Sequence, residues 1–143
     1  MAEMKAYLTL IGEEFNPDEV TERLKIQPCR VRTKHEILGN GQEFGHYEWG
    51  IETDSIEHYD LDPIVNRLIE FIKPRTKLLT EVAKKCCAEW NILFYISSSE
   101  DFPAVYFISE FVQLSAEINA IIGFDTYIYP TEVEMEDPYR VLD

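Results

Sequence analysis

Residues 7–28 read YLTLIGEEFNPDEVTERLKIQP, and the order of residue types prescribes a strand, a turn, a capped helix and a stop. Tyr7, Leu8, Leu10 and Ile11 surround Thr9, and Gly12 closes the run, the pattern of a strand entering a turn. Asn16 stands where a short polar side chain accepts from the free N–H groups of a first helical turn. Pro17 follows at the helical position where a missing N–H costs nothing. Glu19 comes three residues after Asn16, as in a capping box, and Phe15 is placed to staple onto Val20. Val20, Leu24 and Ile26 make the apolar stripe, and Pro28 forbids continuation.

Working outward, Arg30, Arg32 and Lys34 alternate along a short basic strand. The segment GNGQEFG at residues 39–45 carries the Asn40-Gly41 hairpin signal. Tyr47, Trp49 and Ile51 then alternate with His46, Glu48, Gly50 and Glu52, which predicts a half-buried strand. With these strands and a later helix, the spacing L-x-G-x-x-F-x-P-x-x-V-x-x-x-L-x-I-x-P from Leu10 to Pro28 resembles domain-of-unknown-function family 4279, a set of small bacterial proteins. The resemblance covers nearly the whole chain and rests on scaffold positions. It implies one small α/β domain and brings no activity, cofactor or catalytic residue.

Further along, Asp62 is placed to cap a helix beginning at Pro63, with Ile64, Leu68, Phe71 and Ile72 inward, and Lys73-Pro74 breaks it. A second helix carries Leu78, Leu79, Val82, Ala83 and Cys86 on one stripe. Trp90, Ile92, Phe94 and Ile96 alternate with Asn91, Leu93 and Tyr95, a strand apolar on both faces and therefore central. Residues 104–108 read as a strand hairpinned to it, residues 111–122 as a helix ended by Gly123, and residues 124–129 as a last strand. Strict βαβ alternation is absent. The expected fold is therefore α+β, a two-layer sandwich whose mixed or mainly antiparallel sheet carries its helices on one face. The order of elements in the two halves hints at ferredoxin-like halves, although no sequence repeat accompanies it. A single domain is expected over residues 1–130, with an acidic tail over 131–143.

At 143 residues the chain is long enough to bury roughly 70% of the surface its unfolded form exposes. No apolar run approaches the roughly 20 residues of a membrane span, and the first residues do not form a secretory signal. Three cysteines, two of them adjacent, imply no disulfide framework, which makes a reducing cytoplasm the expected compartment. The net charge of −14 argues against nucleic acid and anionic membranes as partners, since both attract a positive field. The charge is uneven. Residues 36–66 hold eight acids and no Lys or Arg, while the basic residues gather at 23–34 and 73–85.

The candidate chemistry is sparse. Gly39, Gly41 and Gly45 have the wrong spacing for a nucleotide loop and precede a strand instead of a helix. His35, His46 and His58 lack the tight spacing of a zinc site. Cys86-Cys87 falls at a helix C-terminus, where the dipole disfavours a thiolate, and Cys29 has no histidine near it in sequence. Ser97, Ser98 and Ser99 lack the elbow that exposes a nucleophile. No catalytic set, metal site or cofactor is expected, and the reading leans away from an enzyme. One constellation remains: Arg30, Arg32 and Lys34 form a positive stripe bordering His46 and Trp49, able to take an anion or an acidic partner surface. The plainer reading is that these cations pair with nearby carboxylates.

The sequence therefore predicts a non-catalytic cytoplasmic interaction module whose acidic surface antagonises a basic partner, such as a nuclease toxin. The alternative is a binding protein or weak enzyme for a small anionic ligand at the Arg30/Arg32/Lys34 stripe. A homodimer is compatible with both, given an uncovered edge strand.

Overall fold

A computed structural model describes residues 2–130. In chain order these form β1 (Ala2–Gly12), α1 (Pro17–Leu24), β2 (Arg30–Arg32), β3 (Tyr47–Glu52), β4 (Ile56–His58), α2 (Asp62–Ile72), α3 (Thr76–Val82), β5 (Cys87–Ser97), α4 (Ser109–Glu117) and β6 (Ala120–Tyr129). The acidic tail expected at 131–143 lies outside the described residues.

The sheet runs β2-β3-β1-β5-β6, and β4 pairs with the first residues of β1 on the same side as β3. The pairings are antiparallel except that of β5 with β6, which α4 joins as a crossover. This is the α+β two-layer sandwich with a mainly antiparallel sheet. The halves differ in strand direction, since β3 runs against β1 while β6 runs with β5.

Alternation along each strand sets the layers. In β1, Met4, Ala6, Leu8 and Leu10 are buried, and in β5 so are Ala88, Trp90, Ile92, Phe94 and Ile96. The register places Leu8 beside Trp90 and Leu10 beside Trp49, so these residues share one face. Phe15, Val20 and Leu24 from α1 and its entry, Ile64, Val65, Leu68, Ile69 and Ile72 from α2, Leu79 and Val82 from α3, and Phe111 from α4 join them in one core. The helices thus cover one face of the sheet, and among the described residues no helix covers the other, open face.

The opening stretch behaves as its residue types dictate. The Asn16 side chain accepts from Asp18 N–H at 3.0 Å, and Pro17 opens the helix. The helix stops before Pro28, because Lys25 turns left-handed (φ 56°) and returns its N–H to the Thr21 carbonyl at 2.9 Å. Gly12 is required by contact instead of by a turn. A Cβ there would come within 2.9 Å of the Lys85 carbonyl oxygen and 3.0 Å of Cys86 Cβ. The 39–45 segment does form a hairpin, with Gly41 N–H bonded to Leu38 C=O at 2.9 Å and Gly41 in the left-handed region (φ 81°).

Several expectations are corrected. Residues 104–108 are not a hairpin strand. Only Ala104 bridges, to Asp60, and Tyr106 Oη donates to Asp62 Oδ1 at 2.7 Å, so the segment straps across the start of α2. That bond pushes the Tyr106 phenol up to about 12. Asp62 therefore does not cap α2; the Asp60 carboxylate accepts the Asp62 N–H instead, at 3.0 Å. Helix α4 ends at Glu117, where Asn119 (φ 53°) reverses the chain, and Gly123 lies inside β6. Helix α3 ends at Val82, so Cys86 sits past it with its thiol donating to the Val82 carbonyl at 3.3 Å. Burial pushes that thiol up to about 11, which suits a core residue and not a nucleophile. No helix among the described residues is long and apolar enough to cross a membrane.

Candidate interaction surface

The five singled-out residues do not come together as one site: Arg30 and Arg32 share a face, while Trp49 is buried in the core. Arg30 is opposite Gly50 and Arg32 opposite Glu48, which puts both guanidiniums on the open face. Trp49, one residue out of phase with Glu48, points to the helical layer. It is fully buried, and its indole Nε1 donates to Thr21 Oγ1 of α1 at 2.9 Å. Lys34 lies past the end of β2, and His46 is exposed ahead of β3. Phe44 links part of the set: the Arg32 guanidinium sits 5.6 Å from its ring centroid, and the His46 ring meets it edge-on at 6.1 Å.

The arginines have a nearby charge partner in Glu48. Its carboxylate is mostly buried and stands 3.8 Å from Arg30 and 3.7 Å from Arg32. The asymmetry of buried charge gives a test of this arrangement. The Arg30→Ala/Arg32→Ala variant strands the carboxylate and is expected to lose about 1–3 kcal/mol of stability. Glu48→Gln should cost less, because both arginines are accessible enough to hydrate. Urea unfolding of the two variants decides it, and an equal or reversed ranking would refute the pairing.

What the open face does bring together is tyrosine and carboxylate. Glu3, Lys5, Tyr7 and Thr9 of β1 share it with Glu89, Asn91, Leu93 and Tyr95 of β5, Glu57 of β4, Glu52 of β3, and Asp125 and Tyr127 of β6. Tyr95 and Tyr127 stack at 5.4 Å with their planes 16° apart. Lys5 Nζ lies 3.0 Å from Glu52 and 5.6 Å from the centre of the Tyr7 ring. The Lys5 hydrogen bond holds the Glu52 carboxyl below the usual carboxylate range, and burial followed by Glu52 pushes the Tyr7 phenol up. Asn91 Nδ2 donates to Asp125 at 2.5 Å. Gly123 leaves room for this group, since a Cβ there would stand 3.1 Å from Glu89 Oε1. Glu3 and Glu57 are directly opposite each other, like charges that destabilise the pair unless something cationic approaches. Among the described residues Glu3, Glu57, Glu89 and Asp125 have no Lys or Arg within ion-pair distance.

The sequence did not single out this face. The alternation of Glu3, Lys5 and Tyr7 with Met4, Ala6 and Leu8 is a readable signal for it, but only the register shows which rows meet. Elsewhere, a cleft of about 560 Å³ lies between the start of α1 and β2–β3, lined by Glu13, Glu14, Asp18, Val31, Thr33 and Tyr47. Among the described residues no three His, Cys, Asp or Glu side chains stand together as a metal site would require.

Among the described residues, the fold and this face define a small α+β sandwich with one layer of helices and an uncovered, carboxylate- and tyrosine-bearing sheet surface. The family described as Domain of unknown function (DUF4279) matches residues 2–129, and the chain belongs to it. No curated protein and no solved structure matches the chain.

Proposed function

We propose that the protein is a non-catalytic interaction module of the cytoplasm, and that its open sheet face docks on a basic protein surface. The carrying observation is that face itself, where Tyr95 and Tyr127 stack beside carboxylates that no cation of the described residues neutralises. Tyrosines supply large contact area at interfaces, and unopposed carboxylates steer a cationic partner and set its orientation. The net charge of −14 extends that field while repelling nucleic acid and anionic bilayers. An anionic ligand at Arg30, Arg32 and Lys34 is the weaker reading, because Glu48 already stands between the two arginines.

Affinity capture on the immobilised protein, eluted with rising salt, tests the proposal. A basic protein is expected to bind and to leave as salt rises. Glu57→Lys/Glu89→Lys should weaken it about tenfold or more, whereas Arg30→Ala should not. A partner indifferent to Glu57 and Glu89, or one whose binding ignores salt, would sink the reading.

A further inference from the structure

The outer edge of β6 stands apart from the rest of the surface. Ten of the exposed large apolar side chains fall in residues 102–129, among them Ile121, Phe124, Tyr127, Ile128 and Tyr129 of β6 itself. Ile128 is 66% exposed and Ile121 55%. Residues 102–129 contain three acids and no Lys or Arg, and β6 has the single charge Asp125.

The backbone of this strand is equally unusual. The Tyr129 carbonyl accepts from Ser98 N–H at 2.9 Å, and the β5–β6 register runs without a break from Ala88–Ala120 to Ser97–Tyr129. The odd-numbered residues of β6 therefore turn their N–H and C=O groups toward β5. Those of Ala120, Ile122, Phe124, Thr126 and Ile128 point outward, on the side where no described strand lies. Proteins blunt such edges with short strands, charges or proline. The opposite edge obeys: β2 has three residues, two of them arginines. β6 has ten residues, no proline and the single charge Asp125, whose side chain stands on the open face bonded to Asn91.

We infer that β6 is a self-association edge, on which two copies of this chain pair antiparallel about a two-fold axis through Phe124. Charge selects the occupant. A basic partner would find only Asp125 on this strand, whereas a second copy is repelled over the acidic surfaces and can approach closely only where charge is nearly absent. The two-fold selects the register. Facing residues must share a face, so the axis passes through a residue; through Asp125 it would oppose two carboxylates. Through Phe124 it engages all five outward-facing residues. It also sets small against large: Ala120 faces Ile128, Gly123 faces Asp125, Ile122 faces Thr126, and Ile121 faces Tyr127. The helices of both copies then lie on one side of a continuous sheet and the two open faces merge on the other. The pairing is made by the backbone of this edge, and the inference stands whatever the open face binds.

Sedimentation equilibrium of the full chain tests it, alongside Thr126→Pro, which removes an outward N–H and leaves the ladder to β5 intact. The wild type should reach twice 16.7 kDa as concentration rises, and more readily in high salt, opposite in sign to capture of a basic partner. Thr126→Pro should raise the dimer Kd about 100-fold or more, with an unchanged melting curve at dilutions where both proteins are monomeric. Hydrogen exchange on the wild type gives a second readout that needs no variant: the Phe124 and Thr126 amides should gain protection with concentration. A wild type that stays monomeric throughout overturns the inference, as does a Thr126→Pro dimer of equal affinity. Protection of those amides in the monomer also overturns it, because the chain's own residues 131–143 would then occupy the edge.

Discussion

Replacing Trp49 with alanine is expected to lower stability by about 3–5 kcal/mol, a large part of the 5–15 kcal/mol typical of a whole domain. Trp49 is fully buried on β3 and faces Leu10 of β1 across the ladder. Its indole N–H is bonded to Thr21 of α1, so it fastens the first helix to the sheet. Two smaller changes separate packing from hydrogen bonding. Trp49→Phe keeps most of the ring and loses the donor, while Thr21→Val keeps the indole and strands its N–H, each expected to cost about 1–3 kcal/mol. Trp90→Phe is the contrast. Trp90 is as deeply buried, but its Nε1 has no acceptor among the described residues, so only its packing is lost. Equilibrium unfolding followed by far-ultraviolet circular dichroism measures all four. A loss under about 2 kcal/mol for Trp49→Ala would show that this residue is not the fastening between α1 and the sheet.

Trp49 also shows where the sequence was legible and where it was not. The alternation of Tyr47, Trp49 and Ile51 gave the strand, and the residue types at Asn16 and Pro17 gave the cap and the start of the helix. Both are local properties of one chain segment. The face that Trp49 takes relative to Arg30 and Arg32 depends on pairing with a distant strand, where a shift of one residue moves every side chain across the sheet. The expected cluster of Trp49 with the basic stripe failed for that reason. Residues 104–108 were misread in a related way: Val105 and Phe107 alternate like strand residues, but past Ala104 the segment forms no ladder. Phe107 packs on Phe111 at 5.3 Å, and Tyr106 bonds to Asp62. At the end of α4 the reversal fell to Asn119, a residue that tolerates the left-handed region, and not to the glycine four positions on. The parallel alignment of β6 with β5 follows from the missing strand at 104–108, because α4 is then the crossover between them, while the early reversal lets Ala120–Tyr129 run as one strand.

Phe94→Ala should be the most damaging change on β5, costing about 3–5 kcal/mol and loosening β6 first. Phe94 is 1% exposed, and its ring touches Phe102 at 5.5 Å and stacks on Phe124 at 5.8 Å with the planes 12° apart. Phe124 in turn stacks on Phe107 at 5.6 Å, and Phe107 packs on Phe111 of α4. These rings connect the loop after β5, the two parallel strands and α4, and Phe94 is the member on the inner of the two parallel strands. Its removal leaves a cavity under β6, so amide protection in β6 is expected to fall further than in β1. Tyr95→Ala, one residue on, should act in the opposite manner. Its ring is on the open face against Tyr127, partly in water, and its loss is expected to cost no more than about 1.5 kcal/mol. Yet it removes half of the stacked pair on which the proposed docking relies. If the open face docks a partner as proposed, neighbouring positions on one strand divide the labour, stability depending on Phe94 and recognition on Tyr95. Paired measurements of melting and of salt-eluted capture should show Tyr95→Ala weakened in capture but melting near the wild type, and Phe94→Ala lowered in melting. A Phe94→Ala protein that melts like the wild type would mean that the ring chain does not hold β6.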